Sequence, residues 1–82
     1  MTEIKNLIQA MVLSIIDDAS ALQIKEEITD KGTMFEITVG KDDIAKIIGK
    51  EGRVASAMRT IAKASGARLG HKVLINVMSK PL

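Results

Sequence analysis

The chain has 82 residues, is 46% hydrophobic, and carries 12 Lys and Arg against 10 Asp and Glu for a net charge of +2, with no cysteine and one aromatic residue, Phe35. That length predicts a single domain over residues 1–82, with a core at about 3–78 and a short tail at 79–82. The lack of Cys excludes thiol catalysis and Cys-ligated zinc and fits a reducing cytoplasm; no apolar run reaches the roughly 18 residues of a membrane span.

Residues 3–16 place Ile4, Leu7, Ile8, Met11, Val12, Ile15 and Ile16 at helical spacing, with Thr2 as the expected N-cap. Asp17–Ala21 reads as a connection. Leu22, Ile24 and Ile28 alternate with polar residues and predict a half-buried strand, with Ile28 inward and Glu26 near an edge. Asp30-Lys31-Gly32 is a hairpin turn, and the next strand points Phe35, Ile37 and Val39 to one side. A short helix beginning near Asp42-Asp43, whose carboxylates suit a helix N-terminus, carries Ile44, Ile47 and Ile48. Gly49-Lys50-Glu51-Gly52 interrupts it. A longer helix runs from about Arg53 to Ser65, stopped by Gly66, and Lys72–Ser79 is a last strand with Val73, Ile75 and Val77 inward. The order α-β-β-α-α-β predicts a two-layer α+β fold in which three helices cover one face of a three-stranded sheet.

Charge is distributed unevenly along this order. Residues 1–40 hold three basic and seven acidic side chains, residues 41–82 nine and three, so the +2 divides into −4 and +6. A basic half of this kind serves either as a polyanion-binding surface or simply as a solvated face. The Gly-flanked loop lies inside it. Gly49 is expected to end the short helix in a left-handed conformation, and Gly52, with no side chain, lets a sugar-phosphate backbone approach the next helix. Unpaired N–H groups at that helix start favour anions. Lys46, Lys50 and Arg53 add charge there. On the longer helix, Val54, Ala57, Met58 and Ile61 form the expected core stripe, leaving Arg53, Ser56, Arg59, Thr60 and Lys63 on the opposite face. Ile48 beside the loop supplies apolar wall, and Glu51 partly offsets Lys50. The candidate phosphate-binding set is therefore Lys46, Ile48, Gly49, Lys50, Glu51, Gly52, Arg53, Ser56, Arg59 and Lys63.

No catalytic group, metal site, cofactor or small-molecule substrate is expected. His71 is the only histidine and reads as a surface residue at a loop–strand junction; Asp17, Asp18, Asp42 and Asp43 read as helix-end caps. No serine has a nucleophile-elbow context. The scarcity of aromatics disfavours readers that stack bases, and with them strong sequence preference.

The stretch Ile47-Ile48-Gly49-Lys50-Glu51-Gly52-Arg53 resembles the signature of the KH domain, and α-β-β-α-α-β is its type II order. The likeness extends over residues 3–78 and so resembles the small stand-alone bacterial KH proteins of the KhpA family. That resemblance implies a cytoplasmic protein that clamps about four single-stranded RNA nucleotides. It also implies a dimer, with itself or with a larger KH-containing partner of the Jag type, and roles in RNA chaperoning or in cell shape and envelope growth. A protein-interaction module, with RNA binding secondary, is the alternative. Ala10 and Leu13 on the first helix, or the Ile61 region, are the candidate dimer surfaces.

Overall fold

The computed structural model describes residues 2–81 and has the expected order: α1 (Thr2–Leu13), β1 (Gln23–Thr29), β2 (Gly32–Val39), α2 (Ile44–Ile48), α3 (Arg53–Arg68) and β3 (Val73–Ser79). Single 3₁₀ turns lie at Ala19–Ala21 and Lys50–Gly52. The strands form one sheet ordered β1-β2-β3. β1 and β2 are an antiparallel hairpin in which Thr29 faces Gly32 across Asp30-Lys31. Thr29 Oγ1 stabilises that turn, accepting from Lys31 N at 3.2 Å and donating to Gly32 O at 2.8 Å. β2 and β3 are parallel, Phe35 facing Ile75, so the chain must cross over between them, and α2 and α3 form that crossover.

Burial follows sheet position. β2, paired on both sides, alternates strictly, with Thr33, Phe35, Ile37 and Val39 buried. From above, Ile4, Ile8 and Val12 of α1, Ile47 of α2, and Met58 and Ala62 of α3 complete the core with Val73 and Ile75. β1 is an edge strand, as Glu26 suggested. Its Ile24 is half-buried, but Ile28 is 83% exposed, contrary to its expected inward position. In the register it shares a face with Ile24 and lies opposite buried Thr33, but on this edge strand it is left open to solvent.

Three other expectations are corrected. The first helix ends at Leu13 rather than at residue 16, and it includes Thr2. Residues 14–16 continue as a turn, Ile15 N and Ile16 N both donating to Val12 O, while Ile15 and Ile16 still pack on the core. Gly66 does not stop α3. It lies inside the helix, where a Cβ would meet Val73 Cγ2 at 2.5 Å, and so permits close approach to β3. The stop is Gly70 at φ 78°, with His71 N donating to Gly66 O and Gly70 N to Ala67 O, a Schellman closure.

Finally, the buried stripe of α3 is Ala55, Met58, Ala62 and Gly66. Of the expected stripe only Met58 is buried; Val54 is half-buried, while Ala57 and Ile61 are exposed. Gly66 lies against Val73 of β3 with no room for a Cβ, which fixes the face of α3 turned to the sheet and leaves Ala57 and Ile61 outside.

Candidate nucleic-acid interface

α2 has only five residues, so its ends must be held by other parts of the chain. Ile47 is fully buried and anchors it in the core, while Ile48 is 43% exposed beside the loop. At the other end Asp43, 3% exposed, accepts from Asp18 N at 3.0 Å and Asp17 N at 3.1 Å. Asp43 thus does not cap α2 with its side chain, as its position suggested; its carboxylate fastens the connection after α1 to the start of α2. The Asp18 and Asp17 amides hold that carboxyl below its ordinary range, with Lys46 helping and burial opposing. Lys46 Nζ bonds both Asp17 Oδ2 and Asp43 Oδ1, the latter at 3.3 Å. The Asp17 bond leads in raising the Lys46 pKa, and burial works against it. Lys46 is therefore tied down by carboxylates and is not a free cation at the loop entrance.

The loop itself turns on three residues of positive φ. Gly49 (φ 76°, ψ 172°) donates its N–H to Ala45 O at 2.8 Å and closes α2. Its φ is positive as expected, but its ψ lies outside the left-handed helical region, in a zone essentially restricted to glycine. The left-handed helical residues are Glu51 (φ 56°, ψ 25°) and Gly52 (φ 73°, ψ 14°). For Glu51 that conformation costs about 1 kcal/mol. Together they reverse the chain so that α3 starts directly at the loop. No side chain caps α3, and a Cβ on Gly52 would meet nothing within 4 Å. The space beside Gly52 at the start of this 16-residue helix is therefore open, and the helix dipole favours an anion at that end.

Around this opening the cations differ in availability. Lys50 and Lys63 are exposed and form no ion pair among the described residues. Arg53 is exposed, and its Nη2 lies 3.4 Å from Glu51 Oε2. Arg59 is half-buried and donates from Nε to the Ile75 carbonyl on β3 at 3.4 Å. Ser56, Arg59 and Lys63 fall on one helix face by their spacing, and the Arg59 bond directs that face toward edge strand β3. The surface thus runs from the loop along α3 beside β3.

At its far end a cavity of about 370 Å³ is lined by Lys63, Ala67, Gly70, His71, Lys72 and Val73. Lys72, outside the candidate set, and His71, expected as a surface residue at a loop–strand junction, both line this cavity beside Lys63. The signal available was their adjacency within the basic half. A second, apolar groove of about 320 Å³ separates α1 from α3 and is lined by Met11, Ser14, Ile15, Arg53, Val54, Ala57, Met58 and Ile61. Met11 of the first helix thus shares a surface with the Ile61 region, whereas Leu13 lines a separate cavity with Lys5, Gln9 and Leu22; Arg53 stands between the apolar groove and the loop. Among the described residues no group of three or more His, Cys, Asp or Glu could hold a metal ion, and no helix is long and apolar enough to cross a membrane.

A parallel β2–β3 pair joined by two helices, with a Gly-flanked loop between them, defines a KH domain of the type II order. The family model described as KhpA/KhpB, KH domain matches residues 5–77, and the chain belongs to that family. It is similar to the RNA-binding protein KhpA of Clostridium perfringens, with 30% identity over 74 residues, covering 90% of this chain and 99% of the relative. To the RNA-binding protein KhpA of Aquifex aeolicus it is 28% identical over 78 residues, covering 95% and 99%. Among solved structures, Era of Aquifex aeolicus bound to GDP and aluminium fluoride superposes with a TM-score of 0.71 at 16% identity. That match covers 95% of this chain but 31% of Era, so the likeness is one of fold. Era in complex with MgGDPNP and nucleotides 1506–1542 of 16S ribosomal RNA gives a TM-score of 0.68 at 16% identity, covering 96% of this chain and 30% of that one.

Proposed function

We propose that this chain is a non-enzymatic, cytoplasmic protein whose single KH domain binds single-stranded RNA without strong sequence preference. The observation that carries this reading is the uncapped start of α3, open at Gly52 and flanked by Lys50 and Arg53. The KhpA relatives, named as RNA-binding proteins, support it. A phosphate meets the first amides of α3, Lys50 closes over it, and the strand continues past Ser56 and Arg59 toward Lys63. Ile48 offers apolar contact beside the loop. With no aromatic platform, bases are met by hydrogen bonds and van der Waals contact only.

Three or four engaged phosphates predict that log K for a single-stranded RNA oligomer falls with log salt at a slope of about −2 to −3. A slope near zero in a fluorescence-anisotropy titration would remove the electrostatic clamp. An RNA-chaperone role accords with weak, base-tolerant contacts.

We further propose that the chain pairs through the α1–α3 groove, with itself or with a larger KH-containing, Jag-type partner. Ile61, 47% exposed on the rim of an apolar groove, favours this second reading. Sedimentation should show a mass that rises with concentration, and Ile61→Asp should hold the chain monomeric. If pairing is the main task and serves cell-shape or envelope control, a variant defective only in the loop keeps its cellular effect.

A further inference from the structure

The phosphate-binding loop contains an anion of its own. Glu51 is the one described non-glycine residue with positive φ, and its carboxylate lies 3.4 Å from the Arg53 guanidinium. Both side chains are exposed, 66% and 75%, so the pair contributes little to folding. Its position gives it another consequence. Arg53 is the first residue of α3, next to the open space at Gly52, and is the loop cation closest in sequence to that opening.

We infer that Glu51 is an internal competitor for phosphate, engaging Arg53 in the free protein and releasing it only when RNA displaces the carboxylate. This rests on the RNA-binding role of the loop proposed above and assigns that site its regulation. Two physical effects follow. Arg53 must give up the Glu51 carboxylate before it meets a phosphate, so the Arg53–phosphate contact is worth less at low salt than it would be without that carboxylate. The ion count also changes. An Arg–phosphate contact normally releases a counterion from the RNA, but here the freed carboxylate attracts a cation in exchange, so the contact adds almost nothing to the salt slope. The loop then holds a strand loosely and lets it exchange. Because the competing group is a charge and reads no base, the weakening applies equally to every sequence.

The test compares the unaltered chain with Glu51→Gln, Lys50→Asp, and Glu51→Gln in an Arg53→Gln background, using a single-stranded RNA oligomer titrated across salt. Glutamine preserves side-chain size, and thermal unfolding of each variant reports on the fold. Glu51→Gln should tighten binding roughly threefold to tenfold at 50 mM salt, with the slope steeper by about 0.7, and the gain should fade toward 0.5 M. In the Arg53→Gln background the gain should fall to less than about half, since the cation being competed for is gone. If Glu51→Gln binds no tighter while Lys50→Asp weakens binding, the competitor role is overturned and the clamp stands. A full gain persisting without Arg53 also overturns it, because the carboxylate then acts on RNA directly. If Lys50→Asp has no effect, the loop is not the RNA site and both proposals fall.

Discussion

Replacing Lys50 and Glu51 together by aspartate should abolish retention of single-stranded RNA in a gel-shift assay while leaving the Tm nearly unchanged. The fold has little at stake at these positions: both side chains are exposed, and of the two only Glu51 forms an ion pair, with Arg53. Exposed substitutions of this kind change stability by no more than about 0.5 kcal/mol. Asp is also among the residues that tolerate positive φ, so the exchange at position 51 does not add strain. For RNA the change is severe. The loop passes from one positive and one negative side chain to two negative ones at the opening of α3, where the phosphate must sit. Binding should fall at least roughly tenfold through a lost contact and new repulsion together. Unchanged retention would sink the clamp, and a large fall in Tm would mean that the loop is structural.

The two glycines of the loop should behave differently when each is changed to alanine. At Gly49 a Cβ would lie 2.4 Å from Val54 Cγ2 and 2.9 Å from the Val54 nitrogen, at φ 76° and ψ 172°. Backbone strain of about 1–3 kcal/mol adds to an overpacking cost of similar size. Gly49→Ala should therefore lower the Tm by more than about 10 °C for a domain of this size. Gly52 sits at φ 73°, but a Cβ there meets nothing within 4 Å. Gly52→Ala should cost only about 1 kcal/mol and show its main effect as weaker RNA binding, because the methyl group stands where the strand approaches. Equal losses of stability in thermal unfolding would contradict this division of roles.

Sequence position already separates the roles of these glycines, Gly49 at the end of the short helix and Gly52 before the next one, but several other features are legible only in part. The strand alternation of β2 was readable residue by residue, because a strand paired on both sides buries every second side chain. The same alternation on β1 overreached at Ile28, since it assigns a side of the sheet and carries no information on how far the helices extend over it. On α3, apolar spacing favours the stripe Val54, Ala57, Met58 and Ile61, of which only Met58 is buried. Packing against the sheet instead buries Ala55, Ala62 and Gly66. A stripe of small residues at helical spacing was the available clue.

The candidate site divides along the same line. Gly49–Gly52 and the neighbouring basic residues were visible because loop and charges are local. Their availability was not. Lys46 is held by Asp17 and Asp43, and Asp43 is held by amides 25 and 26 residues away. Arg59 turns to the Ile75 carbonyl, 16 residues along the chain.

By itself the sequence determined the order of the elements, the hairpin, and the concentration of positive charge after residue 40 around one glycine-flanked loop. These follow from periodicity, turn sterics and charge counts that operate within a few residues. Only the tertiary structure decided which of those charges stand free, which face of α3 is buried, and how tightly Val54 closes on Gly49 while the space at Gly52 stays open. Each of these depends on groups brought together across the chain, where close packing and ion pairing, rather than spacing, assign a side chain its partner.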